Sequence, residues 1–172
     1  ISAIPYPENK IIATDNSGMT TLSISKVTGL DLSQVSINSD RNIEFNNIKH
    51  DTAIGIGFIT IRATDKSGNY SEQELFFAIM ANPNTINIRQ GESITIKYPV
   101  MPNIDQVEIT QPLKSTGIST SAYLANSELF ISITASSNAT IEAEKATSTL
   151  TMRSTKSESE INQDFHVRLL PN

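Results

Sequence analysis

The residues able to do chemistry are few and widely spread. The chain holds two histidines, His50 and His166, and no cysteine. Lack of cysteine excludes disulfides, thiolate metal sites and thiol nucleophiles. Zinc needs three or four ligands, which two distant histidines do not supply, and no HExxH spacing occurs. Paired carboxylates can divide acid and base work in glycoside hydrolysis. Glu142 with Glu144, and Glu158 with Glu160, are the alternating pairs, and strand alternation would place both in solvent. The glycines are isolated, and no serine sits in a nucleophile-elbow sequence. The chain is therefore expected not to be an enzyme. For binding, tyrosine rings can stack on the C–H face of a sugar. Tyr6 and Tyr123 are the candidates, because Tyr98 continues an apolar face and Tyr70 follows a turn.

The elements that must carry these residues repeat with a period of two. Ile59, Ile61 and Ala63 alternate with Phe58, Thr60 and Arg62, so one face is buried and the other wet. The same pattern recurs at Leu75 to Ile79, Ile94 to Tyr98, Leu129 to Ile133, Leu150 to Met152 and Phe165 to Leu169. Turn sequences such as DKSGN and RQGES separate the runs. Gly29 to Val35 and Ile141 to Ala146 are the two segments with any helical character, and both read equally as turns or strands. Ser154 to Gln163 is polar throughout and reads as a long loop. Pro83 interrupts the pattern at Met80 to Asn84, where it removes a ladder donor. The expected fold is all-β, two tandem antiparallel Ig-like β-sandwich domains, over residues 1–82 and 85–172.

The bulk composition narrows the partners. A net charge of −5 without a basic stripe disfavours nucleic acid. No apolar run approaches the length of a membrane span, so direct membrane insertion is not expected. The chain begins at Ile1 rather than Met, which implies a piece of something longer. Absence of cysteine, with abundant Ile, Asn, Lys and Ser, suits a bacterial exported protein at the cell surface or in the periplasm.

One stretch carries a resemblance. Gly57-Phe-Ile-Thr-Ile-Arg-Ala-Thr-Asp-Lys-Ser-Gly-Asn69, with the strand Leu75 to Ile79, resembles the end of bacterial immunoglobulin-like and HYR-type repeats. Ile11-Ile-Ala-Thr-Asp15 sits where such repeats carry an earlier corner. The resemblance covers residues 4–82 and implies a Greek-key sandwich with a spacer or adhesion role. Cadherins share a similar corner, which raises calcium. Calcium takes six to eight oxygen ligands, and Asp15 and Asp65 are the first ligands to try. As turn formers, the same aspartates would cap their own backbone two residues on. No cofactor is otherwise expected. The functional expectation is a structural or adhesive module of a bacterial surface protein, contacting a protein or glycan and joined to neighbouring domains. The alternative is an ancillary carbohydrate-binding pair of a secreted glycan-degrading protein.

Overall fold

The computed structural model describes residues 2–6, 20–82 and 85–171, with backbone alone over 2–6. The chain divides into two compact units, Ile1–Thr52 with Ile56–Met80, and Ala53–Gly55 with Ala81–Asn172. The second unit thus takes a segment that the linear division at residue 82 did not assign to it. Both units are built from strands, and no α-helix occurs among the described residues.

In the first unit the strands are β1 (Ser2–Tyr6), β2 (Thr21–Thr28), β3 (Val35–Ile37), β4 (Ile43–Phe45), β5 (Gly55–Thr64) and β6 (Tyr70–Met80). They form a four-stranded sheet in the order β1-β6-β5-β2, and β3 pairs with β4. Alternation in β5 buries Ile59 and Ile61 while Phe58, Thr60 and Arg62 stay partly wet. Phe77 of β6 is fully buried and lies 5.1 Å from the Phe45 ring, which joins β4 to the sheet. Gly57 makes room for the Phe77 ring. A Cβ at this position would stand 2.1 Å from the ring's Cζ. Of the segment from Gly29 to Val35, only Leu32–Gln34 is helical, as one 3-10 turn.

The second unit contains β7 (Thr85–Arg89), β8 (Ser93–Pro99), β9 (Gln106–Gln111), β10 (Ser115–Ala125), β11 (Glu128–Ile141), β12 (Ala146–Ser154) and β13 (Ser159–Leu170). Its two sheets run β10-β11-β8 and β7-β13-β12-β9. Numbered from its first strand, this places the second, fifth and fourth strands in one sheet and the first, third, sixth and seventh in the other. Apart from the first strand, which joins the seventh rather than the second, that is the strand partition of an immunoglobulin-like sandwich. Every pair is antiparallel except β7 with β13, which is parallel. Sequence alternation cannot distinguish the two directions, because the side-chain period is the same in both. The core is made by the inward rows Leu129, Ile131 and Ile133 of β11, Leu150 and Met152 of β12, and Phe165 and Val167 of β13, all at most 5% exposed.

Ala53–Gly55 joins this unit through hydrogen bonds. The Ile54 amide donates to Pro99 O at 2.9 Å, and the Met101 amide donates to Ile54 O at 2.9 Å. The Ile54 side chain is fully buried. Gly55, with φ +147°, passes so close that a Cβ would meet Ile104 and Met101 at 3.0 and 3.1 Å.

Two expectations are corrected. Ser154 to Gln163 is a tight hairpin and not a long loop, since β12 ends at Ser154 and β13 begins at Ser159. Arg153 pairs with Glu160 across it, and Glu158 closes the turn with φ 52°. Alternation continues through this segment, but its inward slots hold Ile161 and Gln163, so the polar residue conceals the strand. Glu142 and Glu144 fall in the turn between β11 and β12, not on a strand face.

Candidate ligand-binding face

The outer face of the β10-β11-β8 sheet carries an aromatic pair on a field of hydroxyls. Its register is set by the two-residue turn Asn126–Ser127, with φ of 51° and 60°. Two positive φ values are the mark of a tight hairpin whose twist matches its strands. From that turn the pairs follow in order: Ala125 with Glu128, Leu124 with Leu129, Tyr123 with Phe130. The Tyr123 and Phe130 rings stack with centroids 5.0 Å apart and planes 4° from parallel. Such a contact adds about 0.5–1.5 kcal/mol beyond the area it covers.

Tyr123 remains 49% exposed. Because β10 is the outermost strand of its sheet, the ring face turned away from Phe130 meets no further strand of that sheet. The next row holds Ser121, Ser132 and Thr95, with the Thr95 and Ser132 hydroxyls 3.1 Å apart. The row beyond pairs Ser93 with Thr134 at 3.0 Å. Lys97, opposite Phe130, lies 3.6 Å from Glu128. At this exposure the ion pair contributes little energy and leaves the face almost neutral. A flat π-surface with neutral hydroxyls can hold a ligand.

The opposite outer face, on β9, β12 and β13, is spent on itself. Thr147 pairs with His166 Nδ1 at 2.8 Å, Thr149 donates to Asp164 at 2.8 Å, and Thr151 donates to Asn162 at 2.7 Å. Arg153 is held between Glu108 and Glu160, each at 3.0 Å, and these carboxylates push its pKa further up, Glu108 most. Arg168 pairs with Glu144. His166 thus lies on the outer face that alternation assigns to it, and His50 lies exposed in the turn Lys49 to Thr52.

In the first unit, Tyr70 is 59% exposed, but the Arg62 guanidinium covers one ring face at 4.0 Å. Arg62 also grips Glu72 through two nitrogens, at 2.8 and 2.9 Å, and this contact lowers the Glu72 pKa. Register places Tyr6 opposite Phe76, whose ring meets Phe58 edge-on at 4.9 Å.

Asp65 is a turn former. Its Oδ1 accepts from the Ser67 and Asn69 amides at 2.8 Å each, and its Oδ2 accepts from the Asn69 side chain at 2.9 Å. The Asn69 carboxamide does most to lower its pKa, burial opposes it, and the Asn69, Ser67 and Gly68 amides lower it further. Both oxygens are therefore engaged in closing the β5–β6 corner. Asp15 lies outside the described residues. Among the described residues no three acidic or histidine side chains gather as a metal site. Sequence reasoning singled out Tyr123 but missed Phe130. Counting outward from Asn126-Ser127 as a two-residue turn would have paired them.

No family model matches the chain, and no curated protein matches it. Several solved structures are similar to it at low identity. The human desmocollin-1 ectodomain is 8% identical over 89% of this chain and 35% of its own, with a TM-score of 0.37. The chain thus spans about a third of that ectodomain. A titin Ig tandem is 9% identical over 91% of this chain and 84% of its own, with a TM-score of 0.35. The SGBP-B protein of a Bacteroides ovatus mixed-linkage glucan utilization locus, in complex with a heptasaccharide, is 10% identical over 88% of this chain and 37% of its own, with a TM-score of 0.27.

Proposed function

We propose that this chain is a non-catalytic structural or adhesive module of an exported bacterial surface protein, which meets its partner through Tyr123 and Phe130. The observation carrying this reading is the half-exposed Tyr123 ring stacked on Phe130, on a sheet face otherwise lined by serine and threonine. Aromatic anchors of this kind dominate binding energy where they meet a partner. Polar side chains elsewhere support the architecture. Asp65 closes a turn, Arg62 covers Tyr70, and Arg153 ties three strands together. Such groups brace a module without offering an acid, a base or a nucleophile to a substrate.

A glycan is the second reading for the same face. A flat ring flanked by hydroxyl rows suits the alternating C–H and O–H surface of a saccharide. The test applies the labelled full chain to an array of glycans and extracellular proteins, and analyses each captured ligand for chemical change. Capture without conversion, lost in Tyr123→Ala, supports the proposal. Conversion of a ligand would refute it, and capture by glycans alone would select the second reading.

A further inference from the structure

The inward row of β13 reads Ile161, Gln163, Phe165 and Val167, each at most 5% exposed. A carboxamide thus occupies a slot that alternation reserves for an apolar side chain. Its nitrogen is fully used, with Nε2 donating to Ala81 O at 2.8 Å and to Asp164 O at 3.0 Å. Those two carbonyls fix the orientation of the amide, since a reversed amide would point oxygen at oxygen. Oε1 faces the other way, buried, and no described protein group donates to it. A buried acceptor of this kind is costly unless something donates to it.

Beside Gln163 lies a cavity of about 10 Å³, whose lining includes Tyr98, Asn82, Ile86, Leu129 and Phe165. That volume is at the lower limit for one water, roughly 10–15 Å³, and a buried water needs two to four polar partners. Gln163 Oε1 supplies one. Tyr98 lines the same cavity, and its phenol can both donate and accept. We infer that this cavity binds one ordered water, which donates to Gln163 Oε1 and completes a buried latch on the Ala81 carbonyl. Ala81 is where the chain re-enters the second unit, four residues before β7 begins at Thr85. The carboxamide and its water hold that entry in place, which an apolar side chain of equal size would not do.

The experiment is a high-resolution crystal structure of the full chain, paired with NMR detection of water cross-peaks at the Gln163 side-chain amide. The expected result is a water oxygen about 2.7–3.2 Å from Oε1 and a long-lived water cross-peak. A dry cavity, or a protein donor on Oε1, would overturn the inference. The variant Gln163→Met keeps the length and removes both polar atoms. It is expected to lose the water and to raise amide exchange across Thr85–Arg89 about fivefold, the effect of one net hydrogen bond. Unchanged exchange, or a water retained in the variant, would contradict the latch. If the variant does not fold, the two measurements on the unmodified chain still decide.

Discussion

Replacing Gly57 with alanine puts a methyl group into space that the Phe77 ring already fills. The added carbon would stand 2.1 Å from Cζ and 2.5 Å from each Cε, where unstrained carbon contacts are about 3.5–4.0 Å. The ring must therefore move by roughly an ångström or more. It has little room to do so, because Phe77 is fully buried and the tilted Phe45 ring lies 5.1 Å away. Overpacking of a core costs about 1–3 kcal/mol, and three ring carbons in conflict place Gly57→Ala near the top of that range. The stiffer unfolded chain offsets about 0.4–1 kcal/mol, leaving a net loss of roughly 2 kcal/mol. Urea unfolding of the full chain, with hydrogen exchange resolved over β5 and β6, measures it. Shortening the ring should relieve the conflict. Gly57→Ala with Phe77→Leu is expected to lose at least about 1 kcal/mol less than the two single changes combined, as coupled neighbours do. A neutral Gly57→Ala, or strict additivity in the pair, would refute the packing argument.

Other perturbations probe the second unit and the β5–β6 corner. Ile54→Ala removes three buried carbons, about 0.8 kcal/mol each, and with the cavity left behind should cost about 3–4 kcal/mol. The loss should appear as faster exchange in β8 and β11 of the second unit, and a loss confined to β6 would contradict the assignment of Ala53–Gly55. A fragment of residues 85–172 lacks the Ile54 side chain, its bonds to Pro99 and Met101, and the Ala81 carbonyl bound by Gln163, and its unfolding in urea should show a larger loss than Ile54→Ala. Asp65 has a folded pKa lowered by Asn69, so its contribution is present above the unfolded pKa and disappears as pH falls through the folded one. Acid titration by NMR should therefore show the Ser67 and Asn69 amides moving together below the usual aspartate range, and Asp65→Ala should abolish that transition. A midpoint at or above the ordinary value would mean that the corner does not hold the carboxylate.

Strands were legible wherever burial and alternation coincide. Ile59 with Ile61, Leu129 through Ile133, and Phe165 with Val167 are buried as their spacing implies, because a sheet with one wet face imposes a period of two. The Asp65 corner was legible for a local reason, since aspartate and the amides it binds lie within four residues. What escaped is non-local or chemically disguised. Ile54 reads as part of the first module, and only folding brings it to Val100 and Met101. Gln163 reads as a loop residue, although two carbonyls make its burial tolerable. At the candidate face, Tyr123 was visible as a tyrosine on a strand. Its pairing with Phe130 depended on a register that a two-residue turn sets.

The most direct test compares the unmodified chain with Tyr123→Ala, Tyr123→Phe and Tyr70→Ala on one array of glycans and extracellular proteins. Whatever the unmodified chain captures is expected to be lost in Tyr123→Ala, largely kept in Tyr123→Phe, and unaffected in Tyr70→Ala, whose ring Arg62 already covers. Capture that survives Tyr123→Ala, or that fails in Tyr70→Ala instead, would place the binding face elsewhere than on Tyr123 and Phe130.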